Sequence, residues 1–516
     1  MKEDMPMTFA QGNFGIAAAR TAVVLAAFLF AGPSLALALE KDLTDANISN
    51  AVENCFFFDK AVPFDPIDVS CTDGIVTLTG TTNNILAKQR ATRLAQTIKG
   101  VRAVVNRIEV KPSMDRTGVE IKSDVEAALL SDPATDLYEI TVTADNKGHV
   151  TLSGEVESWQ EKQLVKKVAM GVKGVTGITN NVDVHYKTDR SDYEIKPEIE
   201  EALEWDALVD HQLIDVKVKD GKVTLSGTVG SAAEKRQARW DAWVAGVTDV
   251  NDSGLKVRRW ARDEDQRKNT YMAKPESEIS QAVEDANLYD PRVKSFNVNP
   301  DVIGSMVTLR GTVDNLKAKR AAGENARNTV GVSRVYNRLK VRPAMAHTDE
   351  QIETAVQSTL LRDPYVDRYQ IAVNVVDGMA YLTGTVDSYF EKAQAEDAAS
   401  RVNGVVNVSN GLAVTDTHSP IVYDPYIYDW YVEDYDWYDY RPVNAVKTDK
   451  EIKTAIESEL WWSPFVDSDE VAVEVEDGVA ALFGTVDSWS ERRAATHNAL
   501  EGGAIRVDND LVVAMR

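Results

Sequence analysis

One pattern is written six times along this chain, and no other feature limits its fold as strongly. Each copy runs V-x-V-x-D-G-x-V-x-L-x-G-x-V, then a helix-like stretch, then G-V-x-x-V-x-N-x-L-x-V. The first halves are Val69 to Thr82, Ile140 to Val156, Val216 to Val229, Phe296 to Val313, Val373 to Val386 and Val473 to Val486. The closing glycines Gly100, Gly174, Gly246, Gly331, Gly404 and Gly503 are 74, 72, 85, 73 and 99 residues apart. A tandem array of one small unit must be read as an array before any residue is assigned to a site. Six copies multiply a surface more readily than they build one catalytic cleft.

The fifth copy shows how the unit folds. Ile352, Val356 and Leu360 recur every four residues, one apolar helical stripe that stops at Asp363-Pro364. Ile371, Val373 and Val375 alternate as in a half-buried strand, and Asp377-Gly378 is a two-residue hairpin pair. Ala380 and Leu382 share one face of the returning strand, and Gly384 marks a bend or a close backbone approach. Ser388 and Glu391 then read as a capping box, as do Ser158 with Glu161, Ser231 with Glu234, and Ser488 with Glu491. Asn84 and Asn315 take the cap position in the other two copies. Val405, Val408, Leu412 and Val414 supply a last strand. The predicted class is α+β: a tandem array of six small α-β-β-α-β units, each a three-stranded mixed sheet with two helices on one face.

These residues resemble the BON domain, a family of bacterial envelope proteins. The resemblance covers six units, at 43–112, 117–185, 193–258, 276–343, 348–415 and 448–514. The copies depart from it in places. The second has Asp145-Asn146-Lys147-Gly148 in place of the D-G pair, and the fourth has a hairpin that reads longer by its glycine spacing. The third carries Asp252 where the others have Asn106, Asn180, Asn337, Asn410 and Asn509. The sixth has Gly503-Ala504 in place of Gly-Val. The resemblance implies a noncatalytic protein that binds membrane phospholipid or envelope components and is linked to osmotic or envelope stress. The alternative is a periplasmic chaperone or protein-interaction scaffold.

The formal charge of −24 argues against nucleic acid, whose phosphates need Lys and Arg. At the N-terminus, Arg20 precedes an apolar run from Thr21 to Gly32, then Pro33 and Ala36-Leu37-Ala38. That is the layout of an export signal over residues 1–38, with periplasmic location as the consequence, or inner-membrane anchoring if it is not cleaved. The two cysteines, Cys55 and Cys71, both lie in the first unit. Export permits a disulfide between them; the other reading is two buried thiols.

No catalytic, cofactor or metal constellation is visible. The six histidines are scattered without metal-ligand spacing, and no phosphate-binding glycine loop occurs. Between units five and six lies an acidic aromatic insertion, 416–447. It holds Tyr423, Tyr426, Tyr428, Trp430, Tyr431, Tyr435, Trp437, Tyr438 and Tyr440, nine rings in eighteen residues. Aromatics among acids suit a glycan or a partner protein, so the insertion is the candidate interaction surface; the alternative is packing on a neighbouring repeat. Two further sets of rings, Trp159, Tyr389 and Trp489 after the second caps, and Trp205, Trp461 and Trp462 late in the first helices, read either as membrane- or partner-facing patches or as local packing.

Overall fold

The computed structural model describes residues 43–63, 66–135, 138–262, 274–293, 297–415, 447–463 and 465–513. Six units of the predicted kind follow one another. In repeat 5 the first helix is Asp349–Arg362, the strands are Ile371–Val376, Met379–Val386 and Asn407–Val414, and the second helix is Tyr389–Ser400. The middle strand pairs antiparallel with the first and parallel with the third, and the other five units repeat that order. Ile371, Val373, Val375, Ala380 and Leu382 face Ile352, Val356 and Leu360, so one sheet face and the helices share a core. Each repeat has its own such cluster.

The signature residues have distinct physical jobs. Asp73, Asp220, Asp377 and Asp477 all take φ near +50°, followed by Gly74, Gly221, Gly378 and Gly478 at +69° to +77°, as a two-residue hairpin turn of primed type requires. The first helix clamps that turn. Asp349 accepts hydrogen bonds from the N–H groups of Asp377 (2.9 Å) and Gly378 (3.0 Å), and Asp45, Asp192 and Asp449 do the same in their repeats. The Asn of V-x-N ties the last strand to the second helix: Asn410 donates to the Lys392 carbonyl (2.9 Å), and Asn106, Asn180, Asn337 and Asn509 donate likewise to Lys88, Lys162, Lys319 and Arg492. Asp252 has no N–H₂ to donate; it faces Arg239 instead, and the ladder slips between Asn251 and Gly254.

Two sequence expectations change. The fourth hairpin is not longer, since Ile303 pairs with Met306 across a two-residue Gly304-Ser305 turn. Its glycine occupies the first turn position (φ +62°) rather than the second, which alone lengthens the spacing to Gly311. Three of the four capping boxes are also displaced. Ser231, Ser388 and Ser488 accept from the N–H three residues on, but Glu234, Glu391 and Glu491 reach past the cap to Gly230, Asp387 and Asp487. Each Glu also accepts from Asp210, Asp367 or Asp467, so it joins the loop after the first helix to the start of the second. Only Ser158 with Glu161 closes a full box among these four. Each Ser cap contributes about 1 kcal/mol.

The repeats do not hang as beads. The residue opening the second helix is handed to a neighbour in repeats 1, 2, 3, 4 and 6: Ile85 of repeat 1 enters the core of repeat 2, and Trp159 of repeat 2 stacks on Trp243 of repeat 3 (4.8 Å). Ala232 of repeat 3 closes the cycle in the core of repeat 1. In the second half, Leu316 of repeat 4 lies in the core of repeat 5 and Trp489 of repeat 6 lies under Arg327 of repeat 4. The two triads then meet through one contact used three times. The N–H before the closing glycine donates to the last carbonyl of a first helix: Lys99 to Trp462 (3.2 Å), Lys173 to Arg362 (2.7 Å) and Val330 to Trp205 (3.0 Å). Repeats 1 with 6, 2 with 5, and 3 with 4 are thereby paired. Repeats 1 to 3 thus close a cycle, and repeats 4 to 6 are joined to them by these bonds within one chain.

Candidate functional site

The nine rings of the insertion, Tyr423 to Tyr440, and the segment 1–38 lie outside the described residues. Cys55 and Cys71 are free thiols in this structure. Cys71 donates to Asp45 Oδ1 (3.2 Å), and burial together with that carboxylate pushes its thiol up to about 12. Burial also raises Cys55, helped by Glu501, Asp59 and Glu459. Neither thiol is primed as a nucleophile, since the thiolate is the reactive form. Among the described residues, no group of three or more His, Cys, Asp or Glu could hold a metal ion.

Of the two helix-end sets of rings, Trp159, Trp489, Trp205 and Trp461 pack at contacts between repeats, and Tyr389 is buried. Trp159 is sandwiched against Trp243 and edge-on to Trp240. Tyr389 is buried, Trp489 lies beneath Arg327, and Trp205 takes Lys274 over its ring at 4.7 Å. Trp461 receives the Lys99 ammonium over its ring (4.5 Å) and on its carbonyl (2.6 Å). Large rings buy most stabilisation when desolvated, which explains their use where repeats meet.

Because the second helices point into these seams, they are not a solvated surface. That of repeat 5 is buried along nearly its whole length although it carries Glu391, Lys392, Gln394 and Asp397. Its polar atoms are matched: Gln394 donates to Asp363 (2.6 Å), Asp397 faces Lys317 (3.4 Å) and Arg401, and Ser400 donates to the Asp397 carbonyl. Such pairing is what allows charge to be buried.

One cleft opens where repeats 1, 2 and 5 meet, with a volume of about 70 Å³. Arg90, Arg93, Lys167 and Arg401 line it, and no carboxylate does. Arg90 is fixed by Asp59 (2.7 and 2.6 Å) and lies 5.4 Å over the Phe390 ring; Arg401 is fixed by Asp397. Tyr365 stands edge-on to Phe390 (4.8 Å) and completes one wall.

Outward, the first helices repeat a different feature. Two residues before the C-cap, Phe57, Leu130, Leu288 and Leu361 are 60, 66, 58 and 48% exposed. Equivalent positions in four repeats thus present an apolar side chain to solvent. None of the described helices is long and apolar enough to cross a membrane.

A capped α-β-β-α-β unit used six times defines a repeat protein of small α+β modules. The BON domain model matches residues 44–112, 118–186, 191–259, 275–343, 348–416 and 448–515, and the chain belongs to that family. It is 30% identical over 143 residues to osmotically-inducible protein Y of Escherichia coli (strain K12), covering 27% of this chain and 71% of that one. Two solved structures of CdsD, a structural protein of the type III secretion system of Chlamydia trachomatis, are each 12% identical. They cover 39 and 42% of this chain and 88 and 100% of theirs, at TM-scores of 0.10 and 0.12, too low to carry any argument.

Proposed function

We propose that this is a noncatalytic protein of the bacterial envelope whose repeats engage membrane phospholipid, in a response to osmotic stress. The observation that carries the reading is the exposed apolar residue repeated at the ends of the first helices, Phe57, Leu130, Leu288 and Leu361. Each such side chain, about half exposed, contributes about 1 kcal/mol on transfer into a lipid interface, and several together turn weak contacts into stable attachment. Membership of the BON family and similarity to an osmotically inducible protein support the setting. The export-signal layout of residues 1–38 supports a periplasmic address.

Co-sedimentation with vesicles of phosphatidylethanolamine and phosphatidylglycerol tests this. The chain is expected to pellet with the vesicles. A variant with Phe57→Gln, Leu130→Gln, Leu288→Gln and Leu361→Gln should stay in the supernatant while keeping the far-ultraviolet circular dichroism of the wild type, since these side chains are more exposed than the core. Wild-type protein left in the supernatant at every lipid ratio would contradict the reading.

A further inference from the structure

We propose that the two halves of this chain, repeats 1–3 and repeats 4–6, meet through a twofold interface that also takes a second copy of the chain as partner. Repeats 1–3 of one copy dock on repeats 4–6 of the other, and reciprocally. The first observation is a period longer than the unit. Asn caps the second helix in repeats 1 and 4 alone, through Asn84 and Asn315. Lys111-Pro112-Ser113-Met114 follows repeat 1 as Arg342-Pro343-Ala344-Met345 follows repeat 4. Leu130-Ser131-Asp132-Pro133 of repeat 2 returns as Leu361-Arg362-Asp363-Pro364 of repeat 5. A tryptophan, Trp205 or Trp462, ends the first helix in repeats 3 and 6 alone. Repeats 1, 2 and 3 are thus matched to 4, 5 and 6.

The second observation is geometric. Across a twofold interface, a contact from one residue to another is accompanied by the same contact between their counterparts. The Lys99 N–H donates to the Trp462 carbonyl (3.2 Å), and with the halves exchanged the Val330 N–H donates to the Trp205 carbonyl (3.0 Å). Lys99 and Val330 both precede a closing glycine, and Trp462 and Trp205 both precede a C-cap residue. A twofold axis also brings matched positions face to face. Ser131 and Arg362, the matched last residues of the first helices in repeats 2 and 5, do meet: Arg362 Nη2 donates to Ser131 Oγ (3.4 Å). Each half has internal seams besides. Ile85, Trp159 and Ala232 tie repeats 1, 2 and 3 into a cycle, while Leu316 ties repeat 4 to repeat 5 and Trp489 ties repeat 6 to repeat 4. The chain passes between the halves once, from Arg262 to Lys274. A closed chain and a reciprocal pair therefore make the same contacts between halves. Protein concentration decides between them, set against the effective concentration of that connection, which is of roughly millimolar order for a short flexible linker.

This assignment does not rest on the lipid reading, which concerns exposed apolar side chains and not the bonds between halves. The full chain with a protease site inserted between Arg262 and Lys274 tests it. Separated briefly in urea and refolded at about 1 mM, it should yield a dimer by light scattering on a sizing column; refolded at about 10 μM, it should yield monomer. Far-ultraviolet circular dichroism should be the same for both. Cutting the site in the purified dimer should halve its mass, because in a reciprocal pair only the two connections join the two bodies. Cutting the monomer should leave its mass unchanged, since the interface holds the halves together. The lipid variant at positions 57, 130, 288 and 361 should dimerise as the wild type does. Monomer alone at both concentrations, or halves that part when the monomer is cut, would overturn the proposal. A dimer whose mass survives cutting would overturn it as well, because its copies would then be joined side by side through another surface.

Discussion

Gly384→Ala is expected to unfold repeat 5 and loosen the whole array, at a cost of about 3 kcal/mol or more. Gly384 adopts φ +125°, which L-residues rarely reach, and an added Cβ would overlap the Gln370 carbonyl oxygen. The oxygen belongs to the backbone, so neither partner can step aside without breaking the pairing of Ile371 with Gly384. Gly80, Gly227 and Gly484 are held the same way against Pro66, Leu213 and Glu470. Repeat 5 is the sensitive choice because its second helix is buried by its neighbours. Gly304→Ala is the control. Its φ is +62°, but a Cβ there meets nothing within 4 Å, so only the left-handed penalty of about 1–2 kcal/mol applies. Urea unfolding followed by far-ultraviolet circular dichroism should show a large fall in midpoint for Gly384→Ala and a smaller one for Gly304→Ala. Equal midpoints for the two variants would contradict the packing described.

The second large effect is one of pH, at the seam where repeat 6 meets repeat 1. Burial pushes the Glu459 carboxyl up to about 7, and burial with Glu459 beside it pushes Glu501 up to about 8. Asp59 of repeat 1 raises Glu501 further, Asn498 and Lys447 oppose the shifts, and Cys55 sits within the same field. Burial raises Asp363 to about 6 and raises Asp132, Asp206 and Asp241 as well. A carboxyl raised in the folded state keeps a proton that the unfolded chain releases near pH 4.3. Its stabilisation is full below that value and is lost as pH rises through the folded value. Melting temperature should therefore fall between pH 5.5 and 8.5. In Glu459→Gln with Glu501→Gln the slope should flatten and the temperature at pH 8.5 should rise. A flat wild-type profile, or an unaltered slope in the double variant, would remove these two carboxyls as the cause.

Local chemistry was legible in the sequence where a residue acts on its own few neighbours. Asp377-Gly378, Ser388 and Gly384 each carry a conformational requirement that no partner elsewhere can change, and the turn, cap and close approach appear where these residues stand. The Asp349 clamp was not legible, because an acid at the first position of a helix has a sufficient reason in the helix dipole alone. A signal existed: the acid recurs 28 residues before the turn Asp in repeats 1, 3, 5 and 6. The seams were the larger omission. Trp159 and Trp489 look alike in sequence whether they face lipid, solvent or another repeat, and only the contact with Trp243 or Arg327 decides. Asp397 is buried where repeat 4 places Lys317 beside it. The cleft is invisible for the same reason, since its cations come from positions as distant as Arg90, Lys167 and Arg401.

Small-angle X-ray scattering of the chain from Leu39 onward at pH 6 puts the closed arrangement to its most direct test. A compact body of this length has a radius of gyration of about 23 Å, and repeat 1 bonded to repeat 6 through Lys99 and Trp462 requires a value near it. A radius close to that figure, with a single-peaked distance distribution, is the expected result. A radius above roughly 40 Å, with the separate maxima of units strung along a line, would show that the six repeats do not close on one another.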